Sequence, residues 1–176
     1  MTIPAGTRIG HVHLKVAEIE RALAFYCGVL GFELMQRFGP SAAFISAGGY
    51  HHHIGLNTWE SAGGSPPARG TTGLYHLAIL YPTRADLGRA LKGLIHHNVR
   101  LDGAADHGVS EALYLRDPDD NGVELYWDRP KEQWPRTPQG ELQMVTQALD
   151  LRSLLAAAAD VDDPAPKVGE GPKDLG

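Results

Sequence analysis

The same order of predicted elements occurs twice in this chain of 176 residues. In the first copy, alternation of apolar and polar residues predicts a strand over 9–16, and apolar residues spaced by three and four predict a helix over 18–30. Gly31 follows as a helix stop. Three short strands are then expected, over 32–38, 42–47 and 51–57.

The pattern restarts after residues 61–72, a linker rich in Gly, Pro and Ser. The second copy has one strand, one helix and three further strands, expected over 74–80, 84–97, 99–102, 111–115 and 122–127. Because a repeat of this length constrains the fold strongly, we predict an α+β protein of two tandem βαβββ modules, residues 8–60 and 73–128. Their strands would form a curled mixed sheet around a cleft, with helices outside and polar strand faces inside.

The chain changes character after the second module. Residues 129–140 contain three prolines and predict an irregular arm, and a helix is expected from about 149 to 159. Residues 129–159 therefore form a predicted C-terminal arm and helix. Residues 160–176, dominated by Pro, Gly, Asp and Lys, predict a disordered tail.

Composition excludes several classes of function. The net charge of −5 predicts no general attraction to nucleic acid or to anionic lipid. No apolar run approaches the roughly 20 residues that span a bilayer, and the first residues do not resemble a signal peptide. The lone Cys27 excludes an internal disulfide, so we expect a cytoplasmic protein.

The last strand of the second module carries an unusual carboxylate. Its alternation puts Val123, Leu125 and Trp127 on one face and Glu124 and Tyr126 on the other. An acid between apolar residues is costly to bury without a positive partner. The sequence therefore predicts a cation or a basic group near Glu124.

Two histidines occupy matching places in the repeat. When the copies are laid together, the strand that begins at His11 lies over the strand that begins at His76, and His53 lies over Glu124. Two imidazoles and one carboxylate form the facial arrangement of non-haem Fe(II) enzymes that use oxygen. We therefore predict metal ligation by His11, His76 and Glu124. The alternative is that these histidines are hydrogen-bonded groups inside the fold.

Several segments resemble a known family. Residues 10–16, Phe25-Tyr26 and 30–32 are similar to the opening module of the vicinal oxygen chelate superfamily, which includes glyoxalase I, bleomycin-resistance proteins and extradiol dioxygenases. Residues 49–57, 73–76 and 106–114 resemble the CatE-type catechol 2,3-dioxygenase branch. Members of this branch have four modules, whereas this chain shows two.

The resemblance implies an extradiol ring-cleaving dioxygenase that acts on a catechol-like aromatic diol with O2. It implies a divalent metal, Fe(II) first and Mn, Zn or Ni as alternatives, and a homodimer or higher homo-oligomer. A glyoxalase I-like isomerase or lyase is the alternative function. A metal-free protein that binds a drug, as in bleomycin resistance, is a weaker alternative.

Other polar residues are candidates for the cleft. His53 is a fourth metal ligand in an isomerase, or an acid or base in a dioxygenase, or only a hydrogen-bonding group. His107 and Tyr126 are predicted to contact substrate oxygens, with a surface loop and a sheet cap as their alternatives. His13, His51 and Trp134 are predicted to contribute to the substrate site, and His13 is the alternative metal ligand if the strand register is shifted. His52 is expected to face a helix or solvent.

Overall fold

The structure is a computed structural model and describes residues 2–158. Its element order confirms the predicted α+β fold with two βαβββ modules. The first module comprises β1 Val12–Lys15, α1 Ile19–Tyr26, β2 Glu33–Phe38, β3 Ala42–Ser46 and β4 Ile54–Asn57. The second comprises β5 Leu77–Leu80, α2 Arg84–His96, β6 Leu101–Asp106, β7 Ser110–Arg116 and β8 Gly122–Asp128.

Each module forms its own mixed sheet. The strand orders are β1-β4-β3-β2 and β5-β8-β7-β6-β9, where β9 is the short strand Gln147–Ala148. The first strand of each module pairs in parallel with the last, and the other pairs are antiparallel. The repeat in the sequence is therefore a repeat in topology, which places β1 and β5 at sheet edges.

Alternation along the strands explains how the two sheets share one core. Buried strand residues such as Leu14, Leu56 and Leu125 belong to a single apolar cluster with the inner faces of the helices. The stripe of α1 includes Tyr26, and that of α2 includes Leu91. The opposite faces of the strands are left for the cleft.

The starts of two strands beside the cleft differ from the prediction. β4 begins at Ile54 and not at residue 51, because a turn with positive φ at Gly48 and Gly49 leads into a bend before the strand. β5 begins at Leu77 and not at residue 74. Alternation rules therefore fail just before both strands, where the candidate histidines lie.

The C-terminal arm is more ordered than its prolines suggested. It contains a 3₁₀ helix over Lys131–Gln133 and the strand β9, which pairs with β6, before α3 spans Leu151–Ala157. Asp150 caps α3 by accepting hydrogen bonds from two backbone N–H groups. The predicted tail over 160–176 lies outside the described residues.

The turn that leads into β8 is held by the first module. Tyr26 donates from its hydroxyl to Asp117 Oδ2 over 3.0 Å, and the backbone N–H of Ala17 donates to Asp119 Oδ1 over 3.1 Å. Arg21 forms an ion pair with the same Asp119. Because β8 starts directly after this turn, α1 contributes to the position of Glu124.

The helices of residues 2–158 are all too short or too polar to span a membrane.

Candidate functional site

A cleft of about 670 Å³ lies between the edge strands of the two modules. Its walls include the ends of β1 and β5, so both modules contribute within one chain. The polar residues that line it are His11, His53, His76 and Tyr126. Three of the histidines expected at the site therefore face one cavity.

His76 and Glu124 form the closest pair of candidate ligands. His76 Nε2 lies 2.9 Å from Glu124 Oε2, and the carboxylate side chain is only 13% exposed. The parallel register that sets Ala78 beside Glu124 brings the segment before β5 alongside β8. In this structure the mid-strand carboxylate therefore meets a histidine of the segment that precedes the neighbouring strand.

The start of β8 allows this approach only because it is a glycine. A Cβ at Gly122 would lie 2.1 Å from the carbonyl oxygen of Tyr75 and 2.9 Å from Cβ of His76. The φ angle at Gly122 is not positive, so the requirement is for space. Gly122 thus fixes how closely His76 lies against β8.

His11 lines the same cleft but lies with other histidines. Its ring centroid is 4.5 Å from that of His52, and residues 2–158 contain no group of three His, Cys, Asp or Glu side chains arranged to hold a metal ion. The donor chemistry fits a divalent transition metal, since His76 and Glu124 already meet and a second imidazole faces the cavity. Ligation by His11 remains a prediction.

His53 is oriented by the sheet behind it. Its Nδ1 lies 2.9 Å from the hydroxyl of Ser46 and also accepts a 3.3 Å hydrogen bond from the backbone N–H of Ala47. A nitrogen that accepts from a backbone donor carries no proton, and the Ser46 hydroxyl beside it also donates to the carbonyl of Ala47 over 3.3 Å. The other nitrogen, Nε2, therefore carries the proton of neutral His53.

The other histidines of the first module form a cluster with aromatic rings. His13 packs with its ring centroid 5.4 Å from that of Trp59, and burial lowers its pKa, with a smaller contribution from His11. His51 and His52 bring their Nδ1 atoms to 2.7 Å. His13 and His51 are not among the residues that line the cleft, and their predicted contacts with substrate stay untested.

The expectation for His52 is corrected. The side chain is half-buried and packs against the rings of His11 and Phe44 instead of a helix. Residues 51–53 form the bend before β4, so strand alternation does not decide their directions. His52 therefore lies beside a candidate metal ligand.

Tyr114 is a site residue that the sequence analysis missed. It pairs with Glu124 across the β7–β8 ladder, and its hydroxyl oxygen lies 2.7 Å from His107 Nε2. Burial, followed by the charge of Glu124, raises the pKa of Tyr114 to about 12, so the phenol keeps its proton at neutral pH. Alternation along β7 could have identified Tyr114, because it puts Leu113 and Leu115 on the core face of the strand and Tyr114 on the other face.

His107 is not a free surface residue. Besides Tyr114, it contacts the backbone carbonyl of Val145 in the arm through Nδ1, over 3.0 Å. Tyr114 and His76 both line a second, smaller cavity of about 230 Å³. His107 thus reaches the site through Tyr114.

The two remaining candidates lie in different surroundings. Tyr126 lines the large cleft, and its pKa is raised by burial and then by Asp128 and Glu124. Trp134 donates from Nε1 to the carbonyl of Arg129 over 2.8 Å and is not among the residues that line the cavities of 670 and 230 Å³. Trp134 is thus bonded within the arm, and its predicted contact with substrate stays untested.

Comparison with known proteins agrees with this architecture. The model of the Glyoxalase/Bleomycin resistance protein/Dioxygenase superfamily matches residues 8–125. A catechol-2,3-dioxygenase of Bacillus subtilis is 44% identical over 90% of this chain and 55% of its own. Biphenyl-2,3-diol 1,2-dioxygenase 3 of Rhodococcus globerulus is 32% identical over 69% of this chain and 63% of its own. The chain thus spans between half and two thirds of the length of these curated relatives.

A solved structure supports the fold. The crystal structure of a glyoxalase/dioxygenase from Nostoc punctiforme has a TM-score of 0.61 and 18% sequence identity, and the match covers 74% of this chain and 97% of that one. At this identity the likeness concerns the fold alone. Because the family model spans more than half of the chain and the structure has paired βαβββ modules, the chain belongs to the glyoxalase/bleomycin resistance protein/dioxygenase superfamily.

Proposed function

We propose that this chain is a metal-dependent extradiol dioxygenase that opens the ring of a catechol-like diol with O2. The observation that carries the proposal is the His76–Glu124 pair at 2.9 Å, adjacent to Tyr114 on the neighbouring strand. The likeness to a catechol-2,3-dioxygenase, at 44% identity, supports the choice of substrate. The curated relatives extend beyond this chain, so the activity has to be tested on the chain itself.

The metal would be held by His11, His76 and Glu124. Two imidazoles and one carboxylate suit Fe(II), with Mn, Zn and Ni as the ions to test against it. When bound, the ion would orient the diol oxygens and O2 and stabilise charge that develops during the reaction. His11 lies beside His52, and residues 2–158 contain no assembled group of three ligands, so in this proposal the side chain of His11 turns within the cleft to join the other two.

The polar residues of the site have separate tasks in this proposal. Glu124 supplies the negative charge that favours a divalent cation. Tyr114 forms a hydrogen bond with a hydroxyl of the diol, and His107 holds the phenol in place from behind. His53, whose ring is fixed by Ser46, presents a group for proton transfer in the 670 Å³ cleft, and His76 lines both this cleft and the smaller cavity that contains Tyr114.

Apolar side chains of both modules provide a wall for an aromatic ring. Phe32 of the first module and Ile79 and Leu80 of the second line the cleft, and Leu80 is 53% exposed. Burial of such surface by a ring is favourable at about 25 cal/mol per Å². The cleft therefore combines a polar end with an apolar wall, as a catechol requires.

One observation favours a second candidate. His53 lines the same cavity as His11 and His76, so a fourth protein ligand is available to a metal there. A metal with four protein ligands leaves fewer positions for a diol and O2 and suits a glyoxalase I-like isomerase or lyase. The two candidates differ in whether His53 binds the metal.

The test is metal analysis of protein purified without oxygen, followed by oxygen uptake with catechol. We expect one iron per chain and catechol-dependent uptake. Stoichiometric zinc or nickel without uptake in the iron-loaded protein would reject the dioxygenase and leave the isomerase. Protein that binds no divalent metal would reject both.

Variants separate the site from the fold. His76→Ala should abolish metal binding and uptake while the circular dichroism spectrum stays unchanged. The matched control is His96→Ala, because His96 is an exposed histidine at the end of α2. A homo-oligomer and a cytoplasmic location also remain predictions, of which sedimentation would test the first.

A further inference from the structure

The C-terminal arm contacts the candidate site at His107. Val145 O lies 3.0 Å from His107 Nδ1, and Thr146 Oγ1 lies 3.2 Å from the same nitrogen. In return, the backbone N–H of Val145 donates to the carbonyl of His107 over 3.1 Å. The arm and the loop that carries His107 are therefore joined by hydrogen bonds in which each segment has both a donor and an acceptor.

These contacts fix which ring nitrogen carries the proton. A backbone carbonyl oxygen only accepts hydrogen bonds, so Nδ1 is the donor in the contact with Val145 O, and the Thr146 hydroxyl at 3.2 Å is then a second acceptor for the same proton. In the neutral ring, Nε2 then has a lone pair and no proton. Nε2 is the atom that lies 2.7 Å from the hydroxyl oxygen of Tyr114. The phenol is therefore the donor in that bond.

We propose that the arm sets the direction of hydrogen bonding at the site: the Val145 carbonyl holds His107 as the Nδ1–H tautomer, so that Tyr114 donates to His107 and offers only acceptor lone pairs to a ligand. The part of the proposal that concerns a ligand rests on the proposed function, since it takes Tyr114 to face the substrate. Val145 acts through His107 and is a positioning residue.

The chemical class of the ligand follows from this direction. A phenol has one hydrogen, and in Tyr114 that hydrogen is used by His107. A ligand group that meets Tyr114 must therefore donate, as a hydroxyl of a diol does and a carbonyl oxygen does not. The carboxylate of Glu124 is a competing acceptor near Tyr114, but the bond to His107 is the one that meets hydrogen-bond geometry.

Loss of the arm contact would reverse the chain of bonds. Without the Val145 carbonyl, His107 is free to carry its proton on Nε2 and to donate to Tyr114. The phenol hydrogen would then point away from His107, and the site would prefer a ligand that accepts. The arm thus determines whether the Tyr114 hydroxyl donates or accepts a hydrogen bond toward a ligand, although the arm is not bonded to Tyr114.

The test is ¹⁵N NMR of the full chain with labelled histidine, recorded above the ordinary imidazole pKa of about 6.5. Couplings between ring nitrogens and carbon-bound protons identify each tautomer. The His107 signals are assigned by their loss in His107→Gln, or by their shift in Tyr114→Phe if the first variant does not fold. We expect a protonated Nδ1 and a pyridine-like Nε2. A protonated Nε2 in neutral His107 would overturn the proposal.

Three variants test the source of the effect. Val145→Gly removes a half-buried side chain that anchors the arm, and we expect it to lose the pure Nδ1–H pattern. Met144→Gly adds the same backbone freedom at a side chain that is 60% exposed, and we expect it to keep the pattern. Thr146→Val keeps the carbonyl and should also keep the pattern. A switch of tautomer in Thr146→Val would assign the control to the hydroxyl and reject the role of Val145.

The outcome is separable from that of the proposed function. The tautomer is measured on protein without metal, so a correct pattern in protein without oxygen uptake rejects only the dioxygenase. Oxygen uptake in protein whose His107 carries its proton on Nε2 rejects only the role of the arm.

Discussion

At the scale of single residues, the strand face decides which side chains meet. Glu124 and Tyr114 share a face because their strands pair directly, and Tyr126 follows two residues along the same strand. Only Tyr114 has a histidine behind its hydroxyl. Tyr114 and Tyr126 therefore both lie on the face that carries Glu124, and the hydrogen bond to His107 distinguishes Tyr114 from Tyr126.

We expect Tyr114→Phe to lower the kcat/KM for catechol about 5- to 100-fold, because a substrate hydroxyl left without its partner inside the site costs about 1–3 kcal/mol. Tyr126→Phe is the matched control and should change it less than about threefold. Steady-state oxygen uptake measures both. A larger loss of kcat/KM in Tyr126→Phe than in Tyr114→Phe would show that Tyr126, the residue predicted from the sequence, contacts the substrate.

Gly122 allows a second prediction at this scale. Gly122→Ala should weaken metal binding at least tenfold, because the new Cβ would lie 2.1 Å from a backbone oxygen beside His76. In Gly103→Ala the nearest atom would be 4.0 Å away, which makes this variant the control. Metal titration followed by calorimetry compares them, and equal affinities would show that the approach of His76 to β8 is adjustable.

At the scale of elements, a buried charge network joins the arm and α3 to the second sheet. Glu111 has a side chain only 5% exposed, and it accepts from Arg84 Nε over 2.7 Å and from Arg129 over 2.9 Å. Arg129 also pairs with Asp106, and Arg84 donates to Ser153 of α3. The apolar pattern of β7 gave no sign of this network, since Glu111 lies on the face that packs on the core.

Glu111→Ala should lower the free energy of unfolding by about 3–5 kcal/mol, because it leaves two partly buried guanidinium groups without their common partner. Asp102→Ala removes a surface acid, 44% exposed, from its pair with Arg116 and should cost less than about 1 kcal/mol. Urea denaturation followed by circular dichroism tests both variants. Similar losses would mean that the arginines of the network find water or other partners.

At the scale of the whole molecule, the two modules behave as one unit in this structure. Their apolar residues form one cluster, and the turn before β8 is bonded to α1. Tyr26 is fully buried at this junction, and burial followed by the charge of Asp117 raises its pKa. The phenol therefore stays a hydrogen-bond donor to Asp117 across the ordinary pH range.

Tyr26→Phe should lower the free energy of unfolding by about 1–2 kcal/mol, since it removes a buried hydrogen bond without creating a cavity. Tyr50→Phe, at a tyrosine 41% exposed, is the control and should be near neutral. We expect one cooperative urea transition for both variants, with the midpoint of Tyr26→Phe lower. Two separate transitions would show that the modules unfold independently.

The sequence by itself determined the modules. Apolar alternation with a period of two, apolar spacing of three and four, and Gly or Pro at the breaks are local properties, and their repetition gave ten elements in the right order. The same alternation placed Glu124 on the cleft face and left it in need of a partner. The repeat predicted His76 as a ligand because it occupies the place equivalent to that of His11, and its ligation of a metal stays a prediction.

Only the tertiary structure decided how side chains from distant segments meet. The bend before β4 turns His52 toward His11, the arm returns to bond His107, and the register of β7 against β8 brings Tyr114 to Glu124. Each of these depends on contacts between residues far apart in the chain, whose directions are set by packing and by backbone hydrogen bonds. Local patterns specify which face a residue occupies, and they carry no information on which residue of another segment lies opposite.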